Sequence, residues 1–204
     1  MWDDVRRRLR ASGCEKSRTC TDPQLELKRV ISDFNLLATT SRGNERQMCS
    51  EMLYLLKEEI GDPEPTAAKT GVRGLIAAKT TLDPCIVMAK FSAILQERPY
   101  EFRYALRIIP IEKVVRTDLD EIKRVATEFA AEIGENETFR VSVEKRFTTI
   151  HSRDFIEAAA TSIQRKANLD NPDKVLLIEV IGGLTGMSLI KPSDILAVLK
   201  EKML

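Results

Sequence analysis

The stretch Phe139-Arg140-Val141-Ser142-Val143-Glu144-Lys145-Arg146-Phe147 alternates apolar and polar residues, and the run from it to Ile190 decides the fold. Strand side chains repeat with period two, so Phe139, Val141, Val143 and Phe147 share one face while Arg140, Ser142, Glu144 and Arg146 take the other. Lys145 falls on the apolar side, which predicts that the strand leaves the core there. Thr148-Thr149-Ile150-His151-Ser152-Arg153 reads as a basic loop entering a helix, with Ser152 or Asp154 as cap. That helix is expected to bury Ile156, Ala159, Ala160, Ile163 and Ala167, with Arg165 and Lys166 at the negative end of its dipole. Asn171-Pro172-Asp173 is a turn by composition. Val175–Ile181 is apolar on both faces except at Glu179, the pattern of a central strand covered on both sides. Gly182-Gly183 then turns the chain into a last strand.

Upstream, Phe34–Thr40 reads as a strand and Ser41-Arg42-Gly43-Asn44 as a strand-to-helix turn. Met48, Met52, Leu55, Leu56 and Ile60 mark an amphipathic helix ended by Gly61-Asp62-Pro63. Thr66–Thr70 and Gly74–Thr80 form a hairpin through Gly71-Val72-Arg73. Asp83-Pro84 opens a second helix bearing Val87, Phe91, Ile94 and Leu95. A closing strand, Phe102–Ile109, stops at Pro110. The order βαββαβ is ferredoxin-like.

Glu112–Arg116 reads as a connector. Thr117 or Asp118 caps the next helix, whose face is Leu119, Ile122, Ala126, Phe129 and Ile133. Pro192-Ser193-Asp194 starts a terminal helix. The expected division is an N-terminal extension (1–32), a ferredoxin-like domain (33–111), a second domain (112–191) and a C-terminal helix (192–204). In the extension, Met1–Arg10 and Leu25–Ile31 have helical character around a loose loop. The whole reads as a charged tail or an RNA-contacting arm.

The chain has 204 residues and a net charge of +1, so overall charge names no partner and a nucleic-acid role requires local clustering. Between Phe139 and Leu169 six basic residues face three acidic ones. No apolar run approaches the roughly 18 residues of a membrane helix. Cys14, Cys20, Cys49 and Cys85 are scattered and His151 is the only histidine, so the pattern predicts neither zinc nor disulfides and suits a reducing cytoplasm. Gly182–Gly186 lacks the Walker lysine and the dinucleotide fingerprint. His151 has no serine or cysteine nucleophile with an evident partner.

The candidate phosphate-binding residues are Lys145, Arg146, Ser152, Arg153, Arg165 and Lys166, since phosphate needs cations and hydrogen-bond donors held near a helix N-terminus. Five basic residues and a serine on a strand and a helix also describe a solvated face. Arg42 and Arg73 in loops of the first domain, His151, and Lys191 after the last strand extend the candidate set.

The Lys145-Arg146 pair, Ser152-Arg153 opening a helix, Asn168-Leu169-Asp170-Asn171-Pro172-Asp173, Ile178-Glu179-Val180-Ile181 and Thr185-Gly186-Met187-Ser188 together resemble a THUMP domain. More closely, their order and spacing resemble the Tan-type tRNA acetyltransferase adaptors of archaea and eukaryotes. The resemblance covers Phe34 to Ile190. It implies an α+β protein with a ferredoxin-like domain before an αβαββ THUMP domain. It also implies tRNA gripped near its acceptor end by the residues above, with no catalytic residue and no cofactor. A separate RNA cytidine acetyltransferase, which makes N4-acetylcytidine, would be the partner. Related THUMP proteins join the domain to a catalytic one, for which this length leaves no room. The departures are the N-terminal extension and the lack of an adjacent basic tail. Arg146→Glu or Arg153→Glu is expected to weaken tRNA binding with little change in thermal midpoint. Two other readings stay open: an RNA-binding subunit of a thiolation or methylation enzyme, and a small-ligand regulatory protein, since fold alone does not settle function.

Overall fold

The structure, a computed structural model, describes residues 32–202. Its first sheet holds β1 (Leu36–Thr39), β2 (Thr66–Lys69), β3 (Leu75–Lys79) and β4 (Arg107–Pro110) in the order β2-β3-β1-β4, each pair antiparallel. The connecting helices are α1 (Glu45–Tyr54), continued by a π-helical turn over Leu55–Ile60, and α2 (Pro84–Glu97). This is the ferredoxin-like topology. Both helices lie on one face of the sheet, where Met48, Met52, Leu55, Val87, Phe91 and Leu95 pack on Leu36, Ala38, Ile76 and Ala78. The Asp83 carboxylate caps α2 by accepting from the Cys85 and Ile86 N–H groups at 2.8 and 3.1 Å.

The closing strand is shorter than its sequence predicts. The N–H groups of Arg103, Tyr104 and Ala105 donate to the buried Glu51 carboxylate at 2.8–3.0 Å, which holds that segment in a loop and leaves β4 to begin at Arg107. Pro110 does not stop β4 but ends inside it, opposite Leu36. This is tolerable because β4 is an edge strand and needs no outward N–H there.

The second sheet has the order β5-β9-β8-β6-β7, with β5 (Lys113–Arg116), β6 (Thr138–Arg146), β7 (Lys166–Ala167), β8 (Lys174–Ile181) and β9 (Leu184–Ile190). β6 runs parallel to β7 and β8, while β9 is antiparallel to β5 and β8. The helices are α3 (Leu119–Ala130) and α4 (Ser152–Ala160). The expected connector at Glu112–Arg116 is therefore a strand, and the αβαββ order lengthens to βαβαβββ. Asp118 caps α3 through the Asp120 and Glu121 N–H groups. The second helix ends at Ala160 rather than near Ala167, because Lys166–Ala167 pairs with Thr138–Phe139. Its buried residues are Phe155 and Ala159, while Ile156, expected inside, is exposed.

The two sheets face each other. Leu37, Leu75, Ala77 and Ile109 of the first meet Val175, Leu177, Ile181 and Ile190 of the second, with Phe34 and Ile111 between them. Leu176, Ile178 and Val180 of β8 point the other way, into the α3–α4 core with Phe129 and Phe155. Burial on both sides is the physical reason for β8's unbroken apolar run. The chain after β9 does not form one helix. It makes a 3-10 turn at Pro192–Asp194, bridges Leu196 to Ile108, and ends in the short α5 (Val198–Glu201). Leu196 and Val198 return to the first core. The expectations for residues 1–31, Cys14 and Cys20 included, lie outside the described residues. Among the described residues no helix is long and apolar enough to cross a membrane.

Candidate nucleic-acid interface

β6 delivers its basic end to a loop that enters α4, and the register of the sheet decides what shares that end. Arg146 pairs in register with Ile181 of β8, Ile181 with Leu184 of β9, and Leu184 with Arg116 of β5. Lys145, Arg146, His151, Ser152, Arg153 and Arg116 therefore gather at the C-terminal ends of two parallel strands, the usual place for a ligand in such crossovers. Lys166 pairs with Thr138, at the opposite end of β6, about 26 Å away at the ordinary rise per strand residue. Lys191 follows Ile190, roughly 20 Å along β9 from Leu184. Arg165 donates to the Ile133 and Gly134 carbonyls at 3.1 and 3.2 Å and so closes the chain after α3. These three expected contacts are not part of the cluster.

Arg146 is also not the free cation its sequence position predicts. Its Nη1 donates to Glu179 Oε2 at 2.8 Å, with the Arg146 side chain 24% and the Glu179 side chain 1% exposed. Burial pushes the Glu179 carboxyl above the usual range despite the guanidinium beside it. Its Oε1 is buried without a hydrogen-bond partner among the described residues. Arg146 thus neutralises an internal carboxylate between the sheets.

The loop itself is well tied. Lys145 Nζ donates to the Ile150 carbonyl at 2.8 Å, and the Ile150 N–H donates to Thr148 Oγ1 at 3.3 Å. His151, not Ser152, occupies the cap position of α4. Asp154 Oδ2 accepts from the His151 N–H at 3.2 Å, so a carboxylate already complements the helix N-terminus. An anion at this end would rely on side-chain cations rather than on the helix dipole. The Arg153 side chain is 85% exposed and, among the described residues, pairs only with Glu157, at 2.7 Å, so it is displayed to solvent.

Arg42 and Arg73 lie on adjacent loops of the first unit. Glu45 Oε1 clamps those loops by accepting from the Gly43 N–H at 3.2 Å and the Gly74 N–H at 2.6 Å. These bonds, that from Gly74 foremost, hold the Glu45 carboxyl below the usual range. Arg107, opposite Thr39 at the same end of the first sheet, adds a weaker positive influence to the one Arg146 exerts on Glu179. Arg116 and Arg107 were not predicted as site residues. Arg116 was hidden by the connector reading of its segment, and Arg107 by its place inside a strand.

The second unit is thus a mixed-sheet module with cations clustered at one strand end. Residues 116–190 match the THUMP domain, and the chain carries that domain. Solved structures of similar fold include the following two. TrmN from Thermus thermophilus aligns with a TM-score of 0.54 at 13% identity, over 77% of this chain and 45% of that one. PH1313 from Pyrococcus horikoshii Ot3 aligns with a TM-score of 0.53 at 20% identity, over 78% and 55%. The chain spans about half the length of these structures. No curated protein matches it by sequence.

Proposed function

We propose that this protein is a non-catalytic tRNA-binding adaptor. The observation that carries the reading is the cation cluster on the β6–α4 loop, inside residues matched by the THUMP domain. A THUMP domain implies tRNA binding, and a cluster of this kind suits phosphate oxygens. An A-form duplex hides its base edges in a narrow major groove, so recognition would rest on shape, backbone charge and single-stranded ends. In the finer form of this reading, the adaptor presents the tRNA acceptor end to a separate RNA cytidine acetyltransferase in the cytoplasm, supplying binding energy and orientation in trans. A second reading follows from the chain's spanning about half the length of its structural neighbours: the two units would be the RNA-binding part of another tRNA-modifying enzyme.

The test is an anisotropy titration of intact tRNA, tRNA trimmed of its single-stranded 3′ end, and an unrelated duplex RNA, at two salt concentrations. Salt-sensitive binding that drops on trimming is expected. Equal affinity for all three RNAs, or none, would remove the reading. Co-purification then separates an acetyltransferase partner from a thiolation or methylation enzyme.

Arg153→Glu gives the residue-level check. It should weaken tRNA binding several-fold at moderate salt. The thermal midpoint should stay within about 2 °C, since an exposed i,i+4 ion pair contributes little stability. Lys166→Glu and Lys191→Glu, at the far end of the sheet, should leave affinity close to that of the parent. A loss in these two equal to that in Arg153→Glu would show that general charge, not this cluster, drives binding.

A further inference from the structure

Phe147 is the only non-glycine residue with a left-handed backbone among the described residues, at φ +58, and it is 75% exposed. Period-two alternation predicts its ring inside with Phe139 and Val143. Instead β6 stops at Arg146, the chain bends, and the ring is thrown outward. Neither feature favours folding: a bulky side chain is strained at positive φ, and an exposed ring gains little from the hydrophobic effect. Strain of this kind persists where the surroundings over-determine it, and it concentrates at ligand sites.

The surroundings here do so. The Gly182 N–H donates to the Arg146 carbonyl at 2.8 Å and fixes the residue before Phe147. Gly182 itself lies alongside, since a Cβ there would stand 3.9 Å from the Phe147 Cβ. On the other flank the bonds of Ile150 to Thr148 and Lys145 hold the loop. The ring is therefore displayed from a fixed base, within the loop that bears Lys145, His151 and Arg153.

We propose that Phe147 is a stacking platform for an unpaired base of bound RNA, with Lys145, His151 and Arg153 facing the neighbouring phosphates. The proposal rests on the RNA-binding reading above and assigns its single-stranded end a residue that holds it. A base inside a duplex has both faces covered by its neighbours, whereas an unpaired base at a 3′ end has a face free. Exposed aromatics beside cations hold single strands with little sequence preference, because every base has a π face.

The experiment titrates the parent, Phe147→Leu, Phe147→Trp and Phe147→Gly with intact and 3′-trimmed tRNA. Phe147→Leu should lose on the order of 10-fold in affinity for intact tRNA and nothing for trimmed tRNA. Phe147→Trp should keep the affinity, and its fluorescence, corrected for the parent's Trp2, should be quenched by intact tRNA only. Phe147→Gly relieves the φ strain, so it should hold or raise the thermal midpoint while losing affinity as Phe147→Leu does, which separates binding from folding. Equal affinities of parent and Phe147→Leu, or equal losses on both RNAs, would overturn stacking. Unchanged RNA binding with lost capture of a purified acetyltransferase would also overturn it, and would make the ring a protein contact. A parent that binds neither RNA removes the RNA reading itself, an outcome distinct from selective failure of the variants.

Discussion

Arg146→Met lowers the thermal midpoint by about 6–12 °C, as expected for a loss of about 3 kcal/mol in a chain of this size. The loss is the cost of stranding Glu179 rather than of removing one surface charge. The Glu179 carboxylate is 1% exposed, already has one oxygen without a partner, and faces Glu144 across the parallel β6–β8 pair. Without the guanidinium, the weaker influence of Arg107 is left to offset its charge among the described residues. Pairing the substitution with Glu179→Met should recover most of the stability, since an apolar pair replaces a buried ion pair at little cost.

The pH dependence follows from the direction of the Glu179 shift. A carboxyl whose folded pKa lies above its unfolded value binds more protons in the native state across the interval between the two, so stability falls as pH rises through that interval. Removing Arg146 takes away the hydrogen bond and the charge that restrain the shift, and the interval widens upward. The midpoint deficit of Arg146→Met should therefore be largest near pH ~8 and should shrink toward pH ~5. Circular-dichroism melts at the two pH values check this. A midpoint within about 2 °C of the parent, or a deficit that ignores pH, would show that the pair carries no such energy. Arg146→Glu should destabilise more than Arg146→Met, contrary to the near-unchanged midpoint expected from the sequence. Weaker RNA binding by either variant would then report partial unfolding as much as a lost contact.

What the sequence could and could not reveal divides along physical lines. β6 and β8 were legible because period-two alternation and two-sided burial each leave a direct mark on residue type. The same alternation misplaced Phe147, because a repeat says nothing about where a strand stops. Phe155 was missed as the buried anchor of α4 because the alanines around it give that helix face no clear phase. β5 was read as a linker since four residues, Lys113-Val114-Val115-Arg116, are too few to show a period. Lys166 was grouped with Arg146 by type and Lys191 was added because it follows the last strand, and only the register shows them at the other end of the sheet. The Arg146–Glu179 bond joins residues 33 positions apart, and nothing local to either predicts it.

Gly74→Ala should lower stability by about 2–4 kcal/mol, because strain and collision act together there. Gly74 has φ +75, which an L side chain adopts at a cost. Its Cβ would also stand 2.7 Å from the Thr40 carbonyl oxygen, a backbone atom that cannot swing aside like a side chain end. That region has little room to give. The Thr40 N–H donates to the Gly74 carbonyl at 2.9 Å, and the Gly74 N–H donates to Glu45 Oε1 at 2.6 Å. Relieving the contact would strain both bonds and separate the loops that carry Arg42 and Arg73. Gly71→Ala, at φ +82 with open space around the Cβ position, carries the strain without the collision and should lose only about 1–2 kcal/mol. Denaturant melts of the two variants separate the terms. Equal losses would mean that the Thr40 contact relaxes freely. A larger loss in Gly74→Ala, with tRNA affinity lowered under conditions where the variant remains folded, would tie this close approach to the placement of the first unit's arginines.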